Sequence, residues 1–211
     1  MRWSIVVAPE PDFPRVLPRL LLVTPAPTET ATWLQQLRVV LASGVRLVQL
    51  RAPQLSPQAY AELARAVQAA CSAHGAELLV NAPHGDDVAL ARAIGAAGVH
   101  RPARRPLAAR PDGLLVSTAC HDAAQLRAAR HLGADLALLS PVLPTASHPG
   151  APTLGWDGLR ALVPAAGDVA VFALGGLGPA HLDAARDAGA WGVAAIRGLW
   201  GTSDPGTRSK Y

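Results

Sequence analysis

The 211-residue sequence predicts an α/β chain folded as a single-domain (β/α)8 TIM barrel. Two observations carry this reading. Eight short apolar runs are spaced by Ala-rich helical stretches. The runs are continuously apolar rather than alternating, as in a parallel sheet covered by helices on its outer face. A doubly wound open sheet is the runner-up, but its first turn should be rich in glycine. Here that turn reads VTPAPTE, with no glycine.

Each element has its own justification. RLLLVT (19–24) is the first strand and precedes a helix near 30–43. VRLVQLR (45–51) precedes a helix near 57–74, where Ser56-Pro57 supplies an N-cap followed by proline at the first helical position. AELLVN (76–81) precedes a helix near 85–96, and GVH (98–100) leads into an arginine-rich loop. LLVST (114–118) precedes a helix at 122–132. ADLALLS (134–140) leads into a Pro/Ser/Thr loop and a helix near 156–163. DVAVFALGG (168–176) precedes a helix at 179–188, and AWGVAAIRG (190–198) is the eighth strand. Gly44, Gly75, Gly133 and Gly189 each sit between a helix and the next strand, where a left-handed cap wants glycine. Residues 1–18 are expected to be an N-terminal extension or linker, 19–201 the barrel, and 202–211 a flexible tail.

Composition narrows the function. No apolar stretch reaches the roughly 18 residues of a membrane span. The start of the chain makes a poor signal peptide, so the expected location is cytoplasmic, with no membrane partner. Two cysteines, Cys71 and Cys120, make neither a disulfide framework nor a metal-spaced cluster. The net charge is +4, and Lys210 is the only lysine. Arginine therefore carries nearly all the positive charge, in a form suited to phosphates and carboxylates and unable to form a Schiff base. Arg101, Arg104, Arg105 and Arg110 cluster without interleaved aromatics, so nucleic acid is not an expected partner.

In a barrel, chemistry sits at the C-terminal strand ends. Here those ends carry Thr24, Gln49, Arg51, Asn81, His100, Arg101, Ser117, Thr118, Ser140, Gly175, Gly176, Ile196 and Arg197. The set is polar and partly basic. It contains no Asp or Glu, and Asp86 and Asp87 come closest, five and six residues past Asn81. Magnesium needs carboxylate oxygens, so no metal ligand is assigned. Gly175-Gly176 ahead of a helix, with Ile196-Arg197 at the last strand, form the expected phosphate site. His148, in the loop after the sixth strand, is a candidate proton-transfer group.

With these residues in place the chain resembles the thiamine phosphate synthase/TenI superfamily of TIM barrels over residues 19–200. The resemblance rests on VQLR (48–51), VN (80–81), GAAGVH (95–100), VST (116–118), GADLALLSPVLPT (133–145), LGWDGLRAL (154–162), FALGGLGPAHL (172–182) and AGAWGVAAI (188–196). It is most similar to the version fused behind a Nudix hydrolase. The resemblance implies joining a pyrimidine diphosphate to a thiazole phosphate, with release of diphosphate and with Mg2+. It implies catalytic roles for Arg51, Ser117 and His148. From strand-end position and resemblance together, ligand contacts are expected for Gln49, Asn81, His100, Arg101, Thr145, Ser147, Gly175, Gly176, Ile196 and Arg197. The match is uneven. The family's diphosphate lysine is Pro53, its strand-three Asn-Asp is Asn81-Ala82, and its second metal acid falls where Arg104 and Arg105 now stand. The strand-six lysine is His148.

Three functions follow as expectations. The first is synthase activity, with arginines neutralising the leaving diphosphate. The second is a TenI-type thiazole tautomerase, although the tautomerase histidine falls at Pro141. The third is a non-catalytic ligand-binding module partnering a Nudix hydrolase. Whether the chain is an enzyme, and whether it forms a homo-oligomer, stays open at this level. A phosphosugar isomerase on the same barrel would want a strand-end acid, and none is seen.

Overall fold

The apolar runs become eight short parallel strands: β1 (Leu20–Val23), β2 (Leu47–Leu50), β3 (Glu77–Val80), β4 (Gly98–Arg101), β5 (Leu115–Cys120), β6 (Leu136–Leu139), β7 (Ala170–Leu174) and β8 (Gly192–Ala195). In this computed structural model they pair in sequence order, and β8 closes on β1 to complete a barrel. The structure describes residues 16–82, 86–102, 108–145, 150 and 152–201.

Side chains alternate along each strand. Leu21, Leu47, Leu79, Leu136 and Phe172 fill the barrel interior. Their neighbours Leu22, Val48, Leu50, Leu78 and Val80 pack outward under the helices. This two-sided burial explains why the runs are apolar at every position.

The helices are α1 (Thr30–Ala42), α2 (Pro57–Ala73), α3 (Asp87–Ile94), α4 (Ala123–Leu132), α5 (Gly155–Leu162), α6 (Leu182–Asp187) and α7 (Arg197–Trp200). Ser56 caps α2 through its hydroxyl, as its sequence context predicts. Asp86 and Asp122 cap α3 and α4 through their carboxylates, which accept from backbone amides of the first turn. The glycines at 44, 75, 133 and 189 all take positive φ, as the cap reading requires. The stretch expected as one helix at 179–188 is instead a 3-10 turn, Pro179–His181, leading into α6. Between β4 and β5 the described residues form no helix.

Leu17, Arg19 and Trp191 pack together at the foot of the barrel. Of the segment read as an extension, Leu17 is buried within the interior cluster. Its carbonyl accepts from Trp191 Nε1 at 3.2 Å. The Arg19 guanidinium stacks 3.6 Å above the Trp191 ring and donates to the Trp191 carbonyl. No helix among the described residues is long and apolar enough to cross a membrane.

Phe172 is the largest side chain fully buried in the barrel interior. Phe172→Ala is expected to lower unfolding free energy by about 3–5 kcal/mol, through lost burial and the cavity left behind. Urea denaturation checks this.

Candidate functional site

The opposite end of the barrel is the mouth, and strand register decides who reaches it. Gln49 lies on the same face of β2 as Leu47, so it points inward. It is only 2% exposed. Its Oε1 is buried with no hydrogen-bond partner among the described residues. Native side chains rarely leave such an acceptor unmet, so it is a site that invites a donor.

His100 and Ser117 are register partners on β4 and β5. Both are buried, and His100 Nδ1 lies 2.8 Å from Ser117 Oγ. Burial, together with the nearby Arg51 charge, pushes the imidazole pKa down to about 3. His100 is therefore neutral near pH 7. The bond to Ser117 suits either tautomer.

Arg51 is one residue past β2 and exposed at the mouth. Its guanidinium has no ion-pair or hydrogen-bond partner among the described residues, although its field reaches His100. Asn81, one residue past β3, is half-buried, and its amide donates to Tyr60 OH at 2.8 Å. These five residues, Gln49, Arg51, Asn81, His100 and Ser117, form a neutral polar floor with a cationic rim.

Arg101 goes elsewhere. It follows Val99 on the outward face of β4 and forms an ion pair with Asp87, the first residue of α3. Asp87 is fully buried. The sequence places no acid at the strand ends themselves and Asp86 and Asp87 closest to them; α3 brings Asp87 back to this end, where Arg101 matches its charge. Arg104 and Arg105 lie outside the described residues.

The loops after β6 and β7 build the other side. The amides of Val142 and Leu143 donate to the carbonyls of Leu174 and Gly175 at 2.9 and 3.0 Å. Leu154 and Gly155 return to donate to Pro141 and Val142, both at 2.9 Å. The 141–155 loop is therefore pinned at its base to itself and to β7. Thr145 is half-buried within it. Ser147 and His148 lie outside the described residues.

Gly175 and Gly176 have φ of 106° and 67°. A Cβ on Gly176 would stand 2.5 Å from the Pro144 carbonyl oxygen. Only glycine serves there, for conformation and for space. The Gly176 and Leu177 amides donate to no backbone group among the described residues. The Gly178 amide is taken by His181 Nδ1 at 3.1 Å. The β7 and β8 loops touch, since a Cβ on Gly198 would meet the Leu177 carbonyl oxygen at 2.3 Å. Ile196 packs on the interior cluster, and Arg197 is exposed at the start of α7.

Three residues near the mouth escaped the sequence-based candidate set. Tyr60 and Asp87 are two. His121 is the third, with Nδ1 2.8 Å from the Ser140 carbonyl oxygen. The Asp86-Asp87 doublet at a helix start was the available signal for Asp87. Cys120, by contrast, is buried, and its thiol pKa is pushed up to about 12, unsuited to nucleophilic attack.

Comparison with known proteins agrees with this architecture. The thiamine monophosphate synthase family model matches residues 20–199. The thiamine biosynthesis bifunctional protein ThiM/ThiE of Symbiobacterium thermophilum is 40% identical over 183 residues, covering 82% of this chain. The match spans only 36% of that longer protein. A thiamine-phosphate synthase of Azoarcus sp. is 34% identical, covering 88% of this chain and 91% of its own. The solved thiamine phosphate pyrophosphorylase of Pyrococcus furiosus superposes with a TM-score of 0.71 at 22% identity, covering 88% of this chain and 89% of its own.

Two outcomes follow. Asp87→Asn leaves Arg101 as an uncompensated, largely buried charge and should cost about 3–5 kcal/mol in denaturant unfolding. His100 has a folded pKa near 3, below its unfolded value of about 6.5, so unfolding takes up a proton between those values. Its contribution to stability is complete above pH 6.5 and is lost as pH falls towards 3. From pH 7 to 5 the wild type should lose about 2 kcal/mol more than His100→Gln does.

Proposed function

The chain belongs to the thiamine monophosphate synthase family, and on that premise we propose that its barrel mouth joins an aminopyrimidine methyl diphosphate to a thiazole phosphate, releasing diphosphate. The carrying observation is the Gln49 Oε1 atom, buried and unmatched among the described residues, on the same inward-facing floor as the neutral His100–Ser117 pair. Such a floor suits an uncharged nitrogen heterocycle with an exocyclic amine. The amine donates to Gln49, while the imidazole and hydroxyl meet the ring nitrogens. A charged base would find no counter-charge on this floor.

Arg51 stands above it, its guanidinium unengaged by the described residues. Diphosphate departure leaves positive charge on the pyrimidine methylene carbon and gathers negative charge on the leaving oxygens. A guanidinium held ready for that charge favours the departing state more than the ground state. The neutral His100 keeps a competing positive charge away from the developing cation. The thiazole nitrogen then closes the new carbon–nitrogen bond. The glycine loop after β7, with the Gly176 and Leu177 amides, supports the thiazole phosphate and sets the distance across the mouth.

The family implies Mg2+, yet the described residues do not fit a protein-held ion. Asp87 is the buried acid near the mouth among the described residues, it lies against the outer face of β4, and Arg101 already neutralises it. No three metal-binding side chains gather among the described residues. No step is assigned to the metal.

Purified protein mixed with both substrates, with and without Mg2+, should yield thiamin phosphate. Arg51→Ala should cut kcat/KM by about 100-fold, the scale of losing one preorganised charge donor. A folded wild type that binds thiazole phosphate without turnover would replace this reading with a ligand-binding module.

A further inference from the structure

Two hydroxyl groups behind the mouth hold the residues in it. Thr24, one residue past β1, is fully buried and shares the outward face with Leu22. Its amide donates to the Gln49 carbonyl at 3.0 Å. Its Oγ1 accepts from the Arg51 amide at 2.9 Å. Tyr60 reaches the same region from α2 and is 1% exposed. Its hydroxyl donates to the Leu50 carbonyl at 3.0 Å and accepts from the Asn81 amide at 2.8 Å.

Position makes these bonds matter. The β1–β2 pairing ends at Val23 and Gln49, and the β2–β3 pairing ends at Leu50 and Val80. Arg51 and Asn81 are the next residues along, where the barrel ladder gives their amides no acceptor. Thr24 and Tyr60 extend the ladder by one step with side chains in place of backbone. Neither hydroxyl hydrogen-bonds to a side chain among the described residues. Both of Tyr60's hydrogen-bonding capacities are spent on backbone.

We propose that Thr24 and Tyr60 are positioning residues that aim Arg51 and Asn81 at a diphosphate-bearing ligand. The proposal rests on the preceding reading only in taking Arg51 as the diphosphate ligand. A guanidinium sits at the end of a long flexible stem, so a small backbone rotation at Arg51 moves it by more than an ångström. Errors of that size weaken a charge-assisted contact sharply.

The test uses the full chain and three substitutions: Thr24→Val, Thr24→Ser and Tyr60→Phe. The first and third remove a hydroxyl at nearly constant shape. The second keeps the hydroxyl and restores the bond. Calorimetry with inorganic diphosphate should show binding to wild type. Thr24→Val and Tyr60→Phe should each bind about 10-fold more weakly, and Thr24→Ser within about 3-fold of wild type. Thermal unfolding should remain cooperative in all three.

Wild-type affinity in folded Thr24→Val and Tyr60→Phe would overturn the proposal. So would a wild type that does not bind diphosphate, or a loss that Thr24→Ser shares in full. If both hydroxyl-deleted variants fail to fold, the hydroxyls hold the fold and not the aim, and the proposal also falls. Thiamin phosphate formation is read in parallel. Diphosphate binding that follows the expected pattern with no product formed would sink the synthase reading and leave this one standing.

Discussion

Everything at the mouth depends on eight parallel strands kept in one register, because side-chain direction alternates with every residue. Gln49 and Ser117 face inward because Leu47 and Leu115 do, and His100 because it alternates with the outward-packed Val99. Arg101, one residue after His100, faces the helices for the same reason and is matched there by Asp87. A slip of one residue on β4 would exchange a neutral imidazole for a cation inside the barrel. At the foot, Leu17, Arg19 and Trp191 pack together, and the polar strand-end residues gather at the other end.

Burial then sorts the charges. The floor is deep enough that His100 cannot hold a proton near neutrality, and Arg51 reinforces this from above. At the rim Arg51 is exposed to solvent and stands without a partner among the described residues. A neutral floor under a charged rim matches a ligand with an uncharged ring and an anionic tail. The β6–β8 side offers backbone instead: glycines crowded against neighbouring backbone, and Gly176 and Leu177 amides that donate to no backbone group among the described residues. The two sides thus present different recognition chemistry across one mouth.

Much of this was legible in the sequence, and the exceptions have physical causes. The eight strands, the Ser56 cap and the capping glycines are local, so local patterns revealed them. The grouping of Gln49, Arg51, Asn81, His100 and Ser117 followed from strand ends alone. The direction of Arg101 did not, since it depends on pleat and on where α3 returns. Tyr60 reads as one more apolar position on a helix face. Only the approach of α2 to the ends of β2 and β3 turns its hydroxyl into a bridge. The helix expected at 179–188 breaks because His181 turns back to the Gly178 amide and tightens the first turn.

The central claim is that the unmatched Gln49 acceptor reads a pyrimidine amine beneath Arg51. The most direct measurement is a crystal structure with the aminopyrimidine methyl diphosphate bound and thiazole phosphate withheld. The account predicts the exocyclic amine about 3 Å from Gln49 Oε1, with the diphosphate on Arg51. Gln49 Oε1 bonded within the protein, or a pyrimidine bound away from His100 and Ser117, would contradict it.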